Sequence, residues 1–401
     1  MAATRGFLVV MSVLQSVIVA RALGPEGRGT LAAVIGFAGV LVALGGLGFS
    51  SANPYFLLNR PESHRAIVSN SLWIGGIGGL VLAAGGLLLY EIDSGVLPGL
   101  SSTEVVVALI AVPAMLCALF LQSVLLGQFR TRLYNALAAI VAALPPLALA
   151  VAYLVLGLDV LSTLIVTTAA QYVGLLAYAA VTMRRRPSRF DASLAREMLR
   201  YGVRVYAATT LAFLVIRVDV LLVNGYLGAT ASGLYTTAVA IADLLYLLPI
   251  AVGFSLFPRI ADTKDTELTL RVIRAFGPIM LGLSLASVAL AAPAITLLYG
   301  PDFSDAAHLY YWLAPGAFAL GMSTVLSQHF AGVGFPWSLV LVWLAGLSVN
   351  VALNLALLDR GAYIAALSSS VAYMLVFALH LAFFARELGG WLPLLKPHSS
   401  P

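Results

Sequence analysis

The sequence predicts an all-α polytopic membrane protein with about twelve transmembrane helices in two six-helix lobes. Three observations carry that prediction. The 401 residues are 61% hydrophobic and 10% charged, with a mean hydropathy of +1.00, whereas a soluble domain carries about a quarter charged residues. The apolar residues gather into runs long enough to cross about 30 Å of hydrocarbon. A glycine-rich turn also recurs: Gly24, Gly29 and Pro54 each have a counterpart 204 positions later, at Gly228, Gly233 and Pro258. With the flanking hydropathy repeated as well, the offset indicates an internal duplication.

In chain order the apolar runs cover 6–22, 29–49, 66–90, 105–127, 134–156, 161–183, 201–225, 233–257, 270–299, 309–331, 336–358 and 362–384. Arg5, the first run and Ala20-Arg21-Ala22 together have the form of a cleavable signal peptide. The turn after this run matches the turn after the seventh, which is internal, so the first run is read as a retained helix. In both turns glycine relieves tight backbone, and Pro25 suits the start of the following helix.

Orientation follows from lysine and arginine. With the N-terminus placed in the cytoplasm, every basic residue falls on the cytoplasmic side except Arg21, Arg28, Arg217 and Arg360. Opposite loops hold Glu91, Asp93, Glu104, Asp159, Asp302 and Asp305. Both termini are then cytoplasmic. The basic stretch from Arg184-Arg185-Arg186 to Arg204 divides the chain into lobes 1–186 and 187–401. An even helix count per lobe gives both the same orientation, hence a pseudo-two-fold axis along the membrane normal. The stretch is read as a positive-inside anchor, with contact to anionic membrane lipids as the alternative.

Several chemistries are excluded. The single cysteine, Cys117, rules out an intrachain disulfide or a cysteine-clustered metal site. Neither Lys264 nor Lys396 follows a glycine-rich loop, so there is no Walker-type ATP site, and the pairs Gly75-Gly76 and Gly78-Gly79 follow no strand. The pI of 9.3 reflects membrane topology rather than a nucleic-acid partner. Outer loops are short and lack a nucleophile–base set, so no enzyme activity is expected. No cofactor is expected either, while coupling to protons or sodium stays open. Prolines inside the runs, at 113, 145, 146, 249, 278, 293 and 315, predict kinks that suit a moving protein.

A charge inside the bilayer costs at least about 2.5–3.5 kcal/mol, so buried ionisable groups are functional candidates. Asp243 lies ten residues beyond Gly233, about 15 Å into its helix. Asp219 and Arg217 lie in the seventh helix, two apart and so on different faces. One reading is a cavity in which Arg217, with Arg21 and Arg28 from the first turn, attracts an anionic head while Asp243 carries a proton or cation. The other is a structural pair, Asp219 or Asp243 neutralised by Arg217. Among uncharged polar residues, Gln15, Ser16, Gln122, Asn135, Gln171, Gln328, His329, Asn350 and Asn354 either line a sugar-accommodating cavity or bond helix to helix. His329 and His380 are read as satisfied packing histidines.

The strings RALGPEGRG at 21–29, LGATASGLY at 227–235, LFPRIAD at 256–262, LLYGPDFSDA at 297–306 and VNVALNLALL at 349–358 resemble those of O-antigen-type polysaccharide flippases. These proteins belong to the multidrug/oligosaccharidyl-lipid/polysaccharide exporter superfamily. The resemblance runs in order over nearly the whole chain. It implies a MATE-like V of two lobes around a central, often cationic cavity. The implied cargo is an undecaprenyl-diphosphate-linked oligosaccharide moved by alternating access, in a pathway with glycosyltransferases and a polymerase. Arg217 and Asp219 match a charged pair of the family's seventh helix. Gln15 and Ser16 stand where cationic relatives carry charge, which argues for a less positive cavity. An ion-coupled extruder of small molecules from the same superfamily is the alternative.

Overall fold

A computed structural model of the protein describes residues 2–93, 95, 97–183, 189–334 and 336–391. Arg184, Arg185, Arg186 and Lys396, assigned above to the cytoplasmic side, lie outside these residues. Among the described residues all regular elements are helical. They fall into two compact units, Met1–Thr236 and Thr237–Pro401. This packing boundary lies inside a helix and is a different property from the proposed 186/187 division of lobes.

The first unit holds α1 (Ala2–Gly45), α2 (Phe49–Asn59), α3 (His64–Trp73), α4 (Gly79–Ile92), α5 (Ser102–Gly127), α6 (Thr131–Leu156), α7 (Val160–Thr182) and most of α8 (Ala192–Leu245). The second holds the end of α8, then α9 (Leu247–Thr263), α10 (Thr266–Tyr299), α11 (Ala306–Val333), α12 (Trp337–Leu357) and α13 (Ala362–Glu387). Among the described residues, ten helical stretches are long and apolar enough to cross a membrane, and two of these, Gly6–Asn59 and Ala192–Leu245, run 54 residues each. Each long stretch is folded at a glycine. Gly24 has φ 64° and ψ −175°, and Gly228 has φ 83° and ψ 176°, a backbone region that essentially only glycine occupies. The duplicated turn therefore makes the same non-helical joint twice, and each joint divides one long stretch into two apolar runs. Large apolar side chains face outward, such as Leu154 at 82% and Ile92 at 73% exposure. Together with the apolar spans, they make this a multi-pass membrane protein.

Three boundaries differ from the sequence expectation. The run 66–90 is not one α-helix: a π-helical turn, Ile74–Gly78, separates α3 from α4. A Cβ on Gly79 would lie 2.5 Å from Cα of Pro113, and one on Gly75 2.8 Å from Sγ of Cys117. The glycines are there so that α5 can press against this turn. The run 29–49 ends early, at Gly45, and Leu47 and Gly48 take positive φ before α2 begins. The run 233–257 breaks at Tyr246. Pro249 then falls in the first turn of α9, where the missing N–H has no intrahelical partner to lose.

Within the first unit α5 is the hub, packing on α1, α2, α4 and α7 around fully buried Leu116, Phe120 and Leu121. Asn53 of α2 locks it in place, donating from Nδ2 to the Phe120 carbonyl (3.1 Å) and to Oγ of Ser71 and Ser123 (3.1 and 3.0 Å). Helix α8 lies against α1 by glycine. A Cβ on Gly29 would overlap the carbonyl oxygen of Ala229, and a Cβ on Gly233 would overlap that of Pro25. Each copy of the turn is thus seated on the other. The second unit is organised on α11, which packs on α9, α10 and α13. Its apolar contacts form two clusters, one around Ile260, Met280 and Val325, the other around Leu326, Phe330 and Phe384.

Candidate functional site

The sequence candidates resolve into several separate environments. In the first unit, α1, α5, α6 and α7 line an open cavity of about 440 Å³. Its polar lining is Ser12 and Gln15 of α1, Gln122 of α5, and Gln171 and Tyr178 of α7. No lining residue carries a charge. Nε2 of Gln122 donates to the Tyr178 hydroxyl at 3.1 Å, and Tyr178 is buried. Apolar walls come from Val42, Met115, Val141 and Pro145. Of the polar residues flagged in the sequence, Gln15, Gln122 and Gln171 are brought together here. Ser12 and Tyr178 were missed, because a serine and a tyrosine in an apolar run carry no local signal that they face a cavity.

Arg28 does not reach that lining. Its guanidinium is buried and donates to the Ser16 carbonyl at 2.8 Å, to Oγ of Ser16 at 3.0 Å and to the Thr236 carbonyl at 3.4 Å. The cation therefore bridges the stretch of α1 before Gly24 to the stretch of α8 after Gly233. Arg21, on the other side of the Gly24 joint, is exposed.

Asp219 is fully buried in α8. Oδ2 accepts from the Tyr235 hydroxyl, and Oδ1 from the Val220 amide at 2.9 Å. Tyr235 is also fully buried, so this carboxylate is held by the residue that follows Gly233 by two. Arg217 is half-buried on the same helix.

Asp243 belongs to the second unit, half-buried, one turn before the break between α8 and α9, where its carbonyl accepts from the Tyr246 amide at 3.2 Å. Asn350 and Asn354 are fully buried in α12. Nδ2 of Asn350 donates to Oγ of Ser369 on α13 at 3.1 Å, and Nδ2 of Asn354 donates to the carbonyl and Oδ1 of Asn350 at 2.9 and 3.1 Å. They join α12 to α13.

Two polar clamps at helix ends were also missed. Asn70 of α3 exchanges two hydrogen bonds with the backbone of Asp191, at 2.8 and 2.9 Å. Asp191 in turn caps α8: Oδ1 accepts from the Leu194 and Ser193 amides and the Ser193 hydroxyl. These bonds, led by the Leu194 amide, hold the Asp191 carboxyl below the usual carboxylate range. Asp159 caps α7 through Ser162, whose hydroxyl and amide lower its carboxyl in the same way.

No group of three or more metal-ligating side chains occurs among the described residues. The cavity offers amides and hydroxyls, which hydrogen-bond neutral polar ligands and have no charge to set against an anion.

A family described as "Polysaccharide biosynthesis protein" matches residues 3–264. No curated protein matches the sequence. Solved structures with the same fold include a lipid II flippase, MurJ, in its inward closed conformation (TM-score 0.76, 15% identity, 95% of this chain and 86% of that one). An inward-facing multidrug resistance MATE transporter of the MOP superfamily matches with a TM-score of 0.72, 15% identity, and 97% and 98% of the two chains. A MOP superfamily transporter from Pyrococcus furiosus, described as having a binding pocket of reverse polarity, matches at 0.67, 16% identity, and 99% and 96%.

Proposed function

The chain belongs to the polysaccharide biosynthesis protein family, and from that premise we propose that it is a flippase. Its cargo is a lipid-linked oligosaccharide of the undecaprenyl-diphosphate type, carried across a bacterial cytoplasmic membrane by alternating access. Both termini face the cytoplasm, and the pathway's glycosyltransferases and polymerase are its functional partners. A coupling ion, proton or sodium, biases the cycle, because a ligand that binds two states equally shifts nothing.

The observation that carries this reading is the cavity of about 440 Å³ lined by Ser12, Gln15, Gln122, Gln171 and Tyr178. A sugar headgroup cannot enter hydrocarbon without losing hydrogen bonds to water, a cost of about 2–7 kcal/mol per unpaired polar group. Glutamine amides and hydroxyls replace those bonds in both directions, donor and acceptor. The lipid tail needs no such site, since it never leaves the apolar phase.

Deletion of the gene tests the proposal. The expected result is loss of a surface glycan and accumulation of its lipid-linked precursor on the cytoplasmic leaflet. Unchanged glycan together with lost dye efflux would overturn it.

A further inference from the structure

We propose that His329, Glu387 and Thr269 form a proton-binding site in the second unit. His329 of α11 is fully buried, with both ring nitrogens engaged. Nε2 lies 2.8 Å from Oε2 of Glu387, in the last turn of α13, and Nδ1 lies 2.8 Å from Oγ1 of Thr269 on α10. The Phe384 ring meets the imidazole edge-on at 5.1 Å. The Glu387 side chain is 36% exposed, so it connects the sealed imidazole to solvent.

The arrangement is satisfied in two protonation states without moving a heavy atom. In the neutral ring, Nε2–H donates to the carboxylate and Nδ1 accepts the threonine proton. In the cationic ring Nε2–H still donates to the carboxylate while Nδ1–H donates to Oγ1, and the threonine proton turns to the preceding turn of α10, where threonine hydroxyls commonly bond carbonyls. The new positive charge faces the carboxylate, so the added proton leaves no uncompensated buried charge.

The other charged groups on the elements around α11 are placed elsewhere. Arg259 and Asp262 of α9 and Glu267 of α10 are exposed. Arg271 pairs with Asp265 at 3.6 Å, Arg274 is half-buried on α10, and Arg386 lies over the Phe383 ring. Glu387 is the carboxylate that meets the ring.

His380 provides an internal comparison. It too is fully buried, stacked on Phe330, with Nδ1 2.6 Å from Oγ of Ser323 and Nε2 3.5 Å from Oγ of Ser327. Two serines stabilise a neutral ring and offer no counter-charge. One histidine is built to titrate and the other to stay neutral. The site rests on the flippase reading only for its use, as the place where a proton gradient enters the cycle.

Full-length protein carrying 15N-labelled histidine, purified in detergent, tests the site by NMR between about pH 5 and pH 8, the range in which histidine charge is set by its surroundings. The chain has 5 histidines, and H329Q identifies the signal of His329. The expected result is that His329 passes from neutral to cationic within that range while His380 keeps one neutral form. E387Q, at an exposed helix end, should cut the cationic population of His329 at least tenfold at a given pH. A His329 ring fixed in one form throughout, or titrating identically in E387Q, overturns the proposal. Cargo plays no part in this measurement, so it can fail or succeed independently of the flippase assay.

Discussion

Tyr235 donates its phenolic proton to Oδ2 of Asp219, and both residues are fully buried in α8. The bond joins the stretch before Gly228 to the stretch after Gly233, so it fixes how sharply the helix folds at its joint. A hydrogen bond to a charged group contributes about 1.5–3 kcal/mol. Tyr235→Phe should lower stability by that amount, visible as a reduced melting temperature of the purified protein. A melting curve superimposable on the wild type would show that the bond does not hold the joint.

The reciprocal seating of Gly29 and Gly233 makes a second expectation. Neither Ala229 nor Pro25 can yield its carbonyl without moving backbone. Gly29→Ala and Gly233→Ala should each cost about 1–3 kcal/mol through overpacking. Gly24→Ala meets no neighbour within 4 Å and should cost about 1–3 kcal/mol for a different reason, the backbone angle at that residue. Combining Gly29→Ala with Gly233→Ala separates the causes. If the two share one contact, the double variant loses less than the sum of the singles.

The cavity predicts a split between transport and stability. Gln171→Leu and Gln15→Leu replace groups that face the cavity, so reconstituted protein should move a lipid-linked sugar at least tenfold more slowly, about 1.4 kcal/mol. Melting should stay near the wild-type value. Gln122→Leu also removes the partner of the buried Tyr178 hydroxyl and should lose both. Wild-type flipping in Gln171→Leu would place the cargo elsewhere.

Asp191 gives a pH dependence with a defined sign. Its carboxyl is depressed by the Leu194 amide and the Ser193 hydroxyl. A depressed carboxylate contributes stability that is present above the ordinary aspartate value, about 3.9, and lost as pH falls through the folded-state value. Hydrogen exchange at the Leu194 amide should therefore accelerate on acidification below about pH 4, beyond the intrinsic change. In Asp191→Asn that extra acceleration should vanish. Equal profiles for the two proteins would remove the cap from the account.

Much of the architecture was legible because the lipid phase permits few solutions. Apolar runs of twenty residues must be helices, and the glycine offset marks both joints. What the sequence hid was contact. Asn350 and Asn354 share a face in any helix, but only packing shows that Ser369 completes that face. Arg28 looked like a cavity cation, yet Ser16 of α1 and Thr236 of α8 take its hydrogen bonds. The partners that satisfy His329, Thr269 and Glu387, lie 60 and 58 positions away, and periodicity does not report which helices meet. Run ends shifted where a feature invisible to hydropathy intervened, such as the positive φ at Leu47 or the π turn at Ile74–Gly78.

The tight approach of α5 to that π turn has a practical side. Cys117, the single cysteine of the chain, points its sulfur at the backbone of Gly75 and lies within 3.7 Å of the Leu72 carbonyl, with 5% of its surface open. A thiol so enclosed is a poor target for maleimides. The wild-type chain is thus already a silent background for site-directed spectroscopy. Two introduced cysteines, one in each packing unit, would carry the only reactive probes. Distances between them could then be followed through a working cycle in an otherwise unaltered protein.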